Sequence, residues 1–357
     1  MHKTDYITLA VPLFFLMIGI EIFISRRVGR NYFVFADSLN NLSCGVLDQV
    51  LGTVVEGSLL GVYVLIYENA RFVDFSPDSR AMWVFGFIGA DFFYYWFHRF
   101  SHRVNFLWAG HVVHHHSEEF NFTVALRQGW ATRVSSGFFY LPLAALGIHP
   151  VVFFAAKSFM LIYQFWIHTR FIDRLGPFEL VFNTPSHHRV HHGINPRYID
   201  KNYGGTFIIW DRIFGSFEPE TVEPVYGTVK PLASWNPFWA YSHYWIELGR
   251  LSWSAQSWRD RVAVWFAPPG WRPRNLDQCP PPREVDAGHF KKYQIPISQK
   301  QMRRALFLFL PTLGFSSAYL FLHPQLPMGM KLVVIGIVSA CLHWVGALTE
   351  GRSVFRN

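Results

Sequence analysis

The chain has 357 residues, 51% hydrophobic and 18% aromatic, with a mean hydropathy of +0.15. That balance excludes an ordinary soluble domain and points to a protein embedded in a membrane. The formal charge is +8, but Arg and Lys flank apolar runs, which assigns them to membrane topology and anionic lipid head groups and excludes a nucleic-acid partner. Cys44, Cys279 and Cys341 are widely spaced, form no CxxC pair and imply no disulfide framework.

Residues 7–24 are apolar except for Glu21, are interrupted by Pro12, and are followed at once by Arg26, Arg27 and Arg30. A cleaved signal peptide carries its charge before the apolar run. This stretch is therefore predicted to be a first transmembrane helix ending in the cytosol. Residues 42–66 are a second predicted span. Its Asp48 and Glu56 are costly in hydrocarbon and should face the bundle or water. Residues 67–80, with Glu68, Asp74 and Asp78, read as a short outer loop, and residues 82–97 as a third span that runs straight into His98.

Here the histidines begin. His98 and His102 are four apart; His111, His114 and His115 follow, and far downstream come His188, His191 and His192. Residues three and four apart share a helix face, so each cluster should point two or three imidazoles the same way. Eight nitrogens exceed one tetrahedral zinc and suffice for two metal ions. A single HxxxH pair arises easily by chance; three clusters in one chain, two of them HxxHH, do not. His116 and His187 adjoin the clusters as possible substitutes for a ligand.

Residues 103–134 are polar, with Glu118, Glu119, Asn121, Arg127 and Arg133, and lie outside the hydrocarbon. Residues 138–165 read as two short helices broken at Gly147-Ile-His149-Pro150, entering and leaving on the cytosolic side. His149 falls at the far turn and is excluded as a ligand. The pair ends at Gln164-Phe-Trp-Ile-His168-Thr, returning His168 to the level of His98 as a ninth ligand or as a buried hydrogen-bonding histidine. In the hydrophilic segment 170–304, Pro185 should start a helix and Gly193 end it. Gly204-Gly205 is no dinucleotide loop, and residues 268–282 form a Pro-rich surface connector. Lys291, Lys292, Lys300, Arg303 and Arg304 flank a last pair of spans, 305–322 and 330–348, in or beside which His323 and His343 are packing residues.

Every cluster thus falls on one side of the membrane. Metal-bound histidines usually pass their second N–H to a carboxylate or carbonyl, and Asp91, Tyr95, Gln164, Asn183 and Asp211 are the candidates for that outer shell. Asp91 could instead pack helices, and Tyr95 could be an interface aromatic. A zinc pair could hydrolyse a substrate, but no convincing general base accompanies the clusters, Glu118 being the nearest. Iron can activate dioxygen, and a helix bundle offers an apolar path for a lipid chain, so oxidation of a lipid C–H bond follows. A membrane metal transporter would instead spread its ligands along a transmembrane path. No catalytic side chain is expected beyond the metal ligands.

The clusters resemble the HxxxH, HxxHH, HxxHH pattern of the fatty acid hydroxylase/sterol desaturase superfamily. Tyr95-Trp-Phe-His-Arg99, Trp108-Ala-Gly-His111, Gln164-Phe-Trp-Ile-His-Thr169, Asn183-Thr-Pro-Ser-His-His-Arg-Val-His-His-Gly193, Asp200-Lys-Asn-Tyr-Gly-Gly205 and Ile208-Ile-Trp-Asp-Arg-Ile-Phe-Gly-Ser-Phe-Glu218 resemble, more narrowly, its branch that oxidises glyceryl ether lipids. The resemblance runs over about residues 80–230. It implies an all-α, multi-span membrane bundle with a cytosolic histidine-rich helical cap holding two Fe ions, in a bacterial inner membrane or endoplasmic reticulum. It implies His98, His102, His111, His114, His115, His188, His191 and His192 as ligands, with His168 matching an additional family histidine. Gln164 stands where some relatives have another histidine. The electron donor implied is tetrahydrobiopterin in the ether-lipid branch, or a cytochrome or ferredoxin in sterol and fatty-acyl desaturases and hydroxylases. Arg103 stands where the ether-lipid branch has an acidic residue, a departure that bears on the pterin. The expected organisation is transmembrane helices over 1–80, the di-iron domain over 81–230, a cytosolic connector over 231–304 and a helix pair over 305–357.

Overall fold

The computed structural model describes residues 6–76 and 79–352. Among them it is all-helical, with two isolated bridges and no strand. The helices are α1 (Tyr6–Arg27), α2 (Phe35–Ala70), α3 (Arg80–Arg103), α4 (Asn105–His115), α5 (Phe122–Ala125), α6 (Trp130–Ala145), α7 (Pro150–Trp166), α8 (Pro185–His191), α9 (Ile209–Ile213), α10 (Pro237–Ser254), α11 (Trp258–Phe266), α12 (Gln299–Leu322) and α13 (Met328–Thr349).

Two predicted boundaries move. The second helix begins seven residues early, because Asp37, Asn40 and Asn41 are buried and bonded inside the protein, not solvated as loop residues. It also bends by 47° between 35–55 and 57–70. Asp48 faces the bundle as expected and pairs with Arg133; the side chain of Glu56 lies outside the described residues, as does Asp78. The sixth helix begins at Trp130, ahead of the predicted 138, and the following break falls where expected. At Gly147 φ is +84°, and a Cβ there would stand 1.9 Å from the Val73 carbonyl oxygen, so only glycine fits the turn. His149 caps α7, accepting from the Val151 N–H.

By length and apolarity, α12 and α13 can each cross a membrane, and the bent α2 makes a third candidate. The predicted span over 82–97 does not join that set, since α3 continues through His98 and His102 and carries Asp91 and Arg99 among its aromatics. Its outward face is nonetheless apolar, with Val84, Phe85 and Ile88 exposed. Exposed Leu13 and Leu16 on α1, Phe307 and Leu310 on α12 and Val333 on α13 extend that belt, as expected of a surface solvated by lipid. The protein is therefore an integral membrane helical bundle.

Four apolar cores hold the helices. One joins α2, α10, α12 and α13 through Leu47, Phe309 and Leu342. A second joins α2, α3, α6 and α7 through Tyr63, Ala90, Tyr140 and Val152. A third stacks Phe14 of α1 on Phe165 of α7 at 4.2 Å. The fourth seats α10 and α11 on α4. Residues 231–304 thus contain two packed helices besides an extended, largely exposed stretch over 267–298.

Candidate metal centre

The site is assembled where the ends of α3, α4, α7 and α8 meet. His98 and His102 lie on the last two turns of α3, and His111, His114 and His115 end α4. His168 follows α7, and His188, His191 and His192 come from α8, which starts at Pro185 and is capped by His192 as its sequence predicts. All nine imidazoles are buried.

They form two groups. His98, His102, His111, His115 and His191 make the first; His114, His168, His188 and His192 make the second. Within each group the candidate ligand nitrogens all lie within 4.8 Å of one another. All nine residues expected from the sequence are brought together. The expectation that each HxxHH cluster points one way is corrected: His111 and His115 share one group while His114 joins the other, and His188 and His192 share one while His191 crosses over. Positions i and i+4 stay together on the helix face, and the i+3 residue falls to the other side.

The second nitrogens fix the chemistry. His98 Nδ1 lies 2.8 Å from the Tyr203 carbonyl, His114 Nδ1 2.8 Å from that of Arg127, His168 Nδ1 2.7 Å from that of Gln164, and His191 Nδ1 3.0 Å from that of Lys201. A carbonyl can only accept, so each Nδ1 carries the proton and each Nε2 is a bare lone pair. Yet the bare Nε2 atoms of His114 and His168 stand 3.3 Å apart. Two facing acceptors repel. Among the described residues, Nε2 of His102, His191 and His192 is buried with no hydrogen-bond partner, at about 1–3 kcal/mol for each group left so. A cation between the nitrogens removes both penalties, so the donor set fits a metal in each group.

Burial holds the imidazoles neutral, pushing His98 down to about 3 and His114 down to about 4. Neither group includes a carboxylate. Neutral nitrogen ligands leave the full positive charge on a bound ion and suit iron, zinc, copper or nickel.

The carbonyls are held by the outer-shell candidates. Asp211 accepts from the N–H groups of Tyr203 and Gly204 at 2.8 and 2.7 Å, and Asn183 donates to the Gly204 carbonyl at 2.6 Å. Asp91 touches no imidazole; it accepts from the N–H groups of Thr206 and Phe207 and from Trp210 Nε1. Tyr95 bonds Ser216, which in turn donates to Asp211. Gln164 contributes its main-chain oxygen, not its side chain. Asp200 and Asn202 have φ of 61° and 55°. They are the residue types that tolerate this left-handed backbone, and between them they turn the Lys201 and Tyr203 carbonyls toward the site. Arg127, fully buried, is bonded to Asn40, Asn41 and the Val113 carbonyl, which fixes its own carbonyl under His114. Of these devices, Asp211 and Asn183 are among the candidates read from the sequence, whereas Arg127, Asp200 and Asn202 are not.

The remaining histidines stand apart. His187 faces Glu179 at 3.9 Å, and His116 packs on His243. Glu118 accepts from the Tyr293 N–H and belongs to neither group. Arg103 pairs with Asp200 at 3.3 Å. Replacing Asp211 with Asn should loosen the Tyr203 loop and weaken metal retention in the five-histidine group by about 10–100-fold; metal titration under competition with a chelator measures it, with the four-histidine group as internal reference.

The fold and the imidazole groups define a membrane-embedded helical protein with two histidine groups able to hold metal. Residues 83–216 match the fatty acid hydroxylase family. The chain is 42% identical over 269 residues to alkylglycerol monooxygenase of Xenopus tropicalis, and 43% identical over 270 residues to that of Homo sapiens. Each match covers 75% of this chain, which spans 60% of the length of those relatives. Ornithine lipid hydroxylase OlsE of Rhizobium tropici is 30% identical over 159 residues, 40% of this chain and 44% of its own. No solved structure matches the chain.

Proposed function

We propose that this protein is a membrane di-iron monooxygenase that oxidises a lipid, and that its substrate is a glyceryl ether. The observation that carries the reading is the pair of neutral imidazole groups opening onto an apolar cavity. The cavity, of about 340 Å³, has His111, His114 and His168 in its wall and runs between α1, α2, α6, α7 and α12. Its other lining is largely apolar, including Phe14, Leu59 and Phe153. An alkyl chain entering from the bilayer would lie against the imidazoles with water excluded by these side chains.

His98, His102, His111, His115 and His191 would hold one iron and His114, His168, His188 and His192 the other. Iron so held supplies dioxygen activation, the step that a strong C–H bond requires. The residues of the chain orient the alkyl carbon and keep the site free of carboxylates and bulk water. Hydroxylation of the carbon beside the ether oxygen gives a hemiacetal, which breaks to an aldehyde and glycerol. One oxygen atom enters the product, and the other leaves as water with two electrons from an external reductant.

The names of the vertebrate relatives support the ether substrate, and that of the Rhizobium relative supports lipid hydroxylation more broadly. The basic last turn of α1 and first turn of α12 support a cytosolic site. Protein purified anaerobically should carry one iron per imidazole group. With a reductant and hexadecylglycerol it should consume dioxygen and release hexadecanal. Full iron loading without lipid-dependent oxygen uptake, or a chain that takes zinc only and hydrolyses its lipid, overturns the assignment.

A further inference from the structure

The cavity wall contains an ion pair that the imidazole chemistry does not use. Asp48 of α2 is almost wholly buried, its side chain 2% exposed, and Arg133 of α6 is 19% exposed. Arg133 Nε lies 2.9 Å from both Asp48 oxygens and Nη2 lies 2.6 Å from one of them. Gly52 makes room for this, since a Cβ there would stand 3.0 Å from Arg133 Nη1. Asp48 and Arg133 both line the cavity. A buried pair of this kind is no more stabilising than well-packed apolar side chains, so stability alone does not account for it beside an otherwise greasy channel.

Two hydroxyls point to a ligand independently. Thr132 Oγ1 and Ser316 Oγ are buried, have no hydrogen-bond partner among the described residues, and belong to residues that line the same cavity. Ser316 is 2% exposed. The two helices that carry Asp48 and Ser316 pack together, and Thr53 of α2 bonds Tyr319 of α12 at 2.6 Å. Thr132 adjoins Arg133, and the Thr132 backbone nitrogen would lie 3.2 Å from a Cβ at Gly110, one turn before His114. Asp48, Arg133, Thr132 and Ser316 thus line the same cavity as His111, His114 and His168.

We infer that Asp48, Arg133, Thr132 and Ser316 form a subsite for the uncharged, hydroxyl-bearing head group of the lipid, seating it so that the first carbons of its chain reach the imidazole groups. The carboxylate, held by the guanidinium, accepts from a ligand hydroxyl, and each protein hydroxyl donates or accepts. A vicinal diol matches that set. This assignment rests on the lipid-oxidation reading for its purpose, but it is tested by binding alone.

The test is equilibrium binding to the full chain in nanodiscs, read by displacement of a fluorescent alkyl probe. The ligands are hexadecylglycerol and its di-O-methyl ether, which cannot donate. The wild-type protein should bind the free diol about tenfold tighter, the range expected when hydrogen bonds to charged and neutral partners are lost together. Asp48→Asn and Ser316→Ala should each cut that preference by about threefold or more without weakening the methyl ether. Equal binding of the two ligands by the wild-type protein overturns the inference, however the variants behave. So does a preference unchanged in variants that keep their helicity and gel-filtration profile. Should Asp48→Asn fail to fold, the outcome with Ser316→Ala decides. Diol-selective binding without oxygen uptake would leave this subsite standing and remove the proposed reaction.

Discussion

Replacing His98 with alanine should abolish lipid oxidation while leaving a folded protein with half its iron. His98 belongs to the five-histidine group only, so the four-histidine group keeps all its nitrogens. The loss of turnover should exceed the about 10–100-fold that follows removal of an outer-shell partner. The helix itself should survive, because α3 is anchored by the buried side chains of Ala90, Tyr95 and Phe97. Elemental analysis, circular dichroism and oxygen uptake on one preparation check the three parts. Unchanged iron with unchanged turnover would show that the five-histidine group is not a metal site. Loss of both irons from a folded chain would show that the groups cannot load separately.

Gly45→Ala should be among the most damaging single-methyl changes in the chain, although Gly45 touches no imidazole. A Cβ there would lie 2.3 Å from the Leu126 carbonyl oxygen, a backbone atom that cannot swing away. Overpacking of this kind costs about 1–3 kcal/mol or more. The strain also has a direction. Leu126 precedes Arg127, whose carbonyl orients His114, so the variant should lose metal from the four-histidine group before it loses helicity. Gly61→Ala, on the same helix with nothing within 4 Å, should be neutral or stabilise by up to about 1 kcal/mol through helix propensity. Thermal unfolding in detergent, followed with iron content, compares the two; equal melting temperatures and equal iron would refute the close approach of α2 to the 126–129 loop.

The histidines that come together were legible because imidazole chemistry and helical spacing are both written in the residue order. The division into two groups was not, because three residues within one helical turn read as one face until the partner helices fix the axis between them. The outer shell was hidden for a different reason. Its acceptors are main-chain oxygens of Arg127, Gln164, Lys201 and Tyr203, and any residue offers a carbonyl. The carboxylates that looked suitable, Asp91 and Asp211, act one step further out, on the loop that carries those oxygens. The early start of α2 was masked by Asp37, Asn40 and Asn41, whose polarity suggests solvent but serves Arg127 and Ser117 inside the protein. The helices α10 and α11 were passed over because an aromatic-rich stretch before a proline-rich one carries no clean period.

Orientation of the imidazoles by main-chain oxygens has an evolutionary corollary. The side chains at 164, 201 and 203 can drift without erasing the contacts that aim His168, His191 and His98, since the aiming atom comes with every amino acid. Selection should then fall on the residues that shape the peptide path, Asn183, Asp200, Asn202 and Asp211, rather than on those whose names stand beside the rings. A lineage could exchange Gln164 and keep the ring of His168 aimed, yet be stopped by a β-branched residue at Asn202.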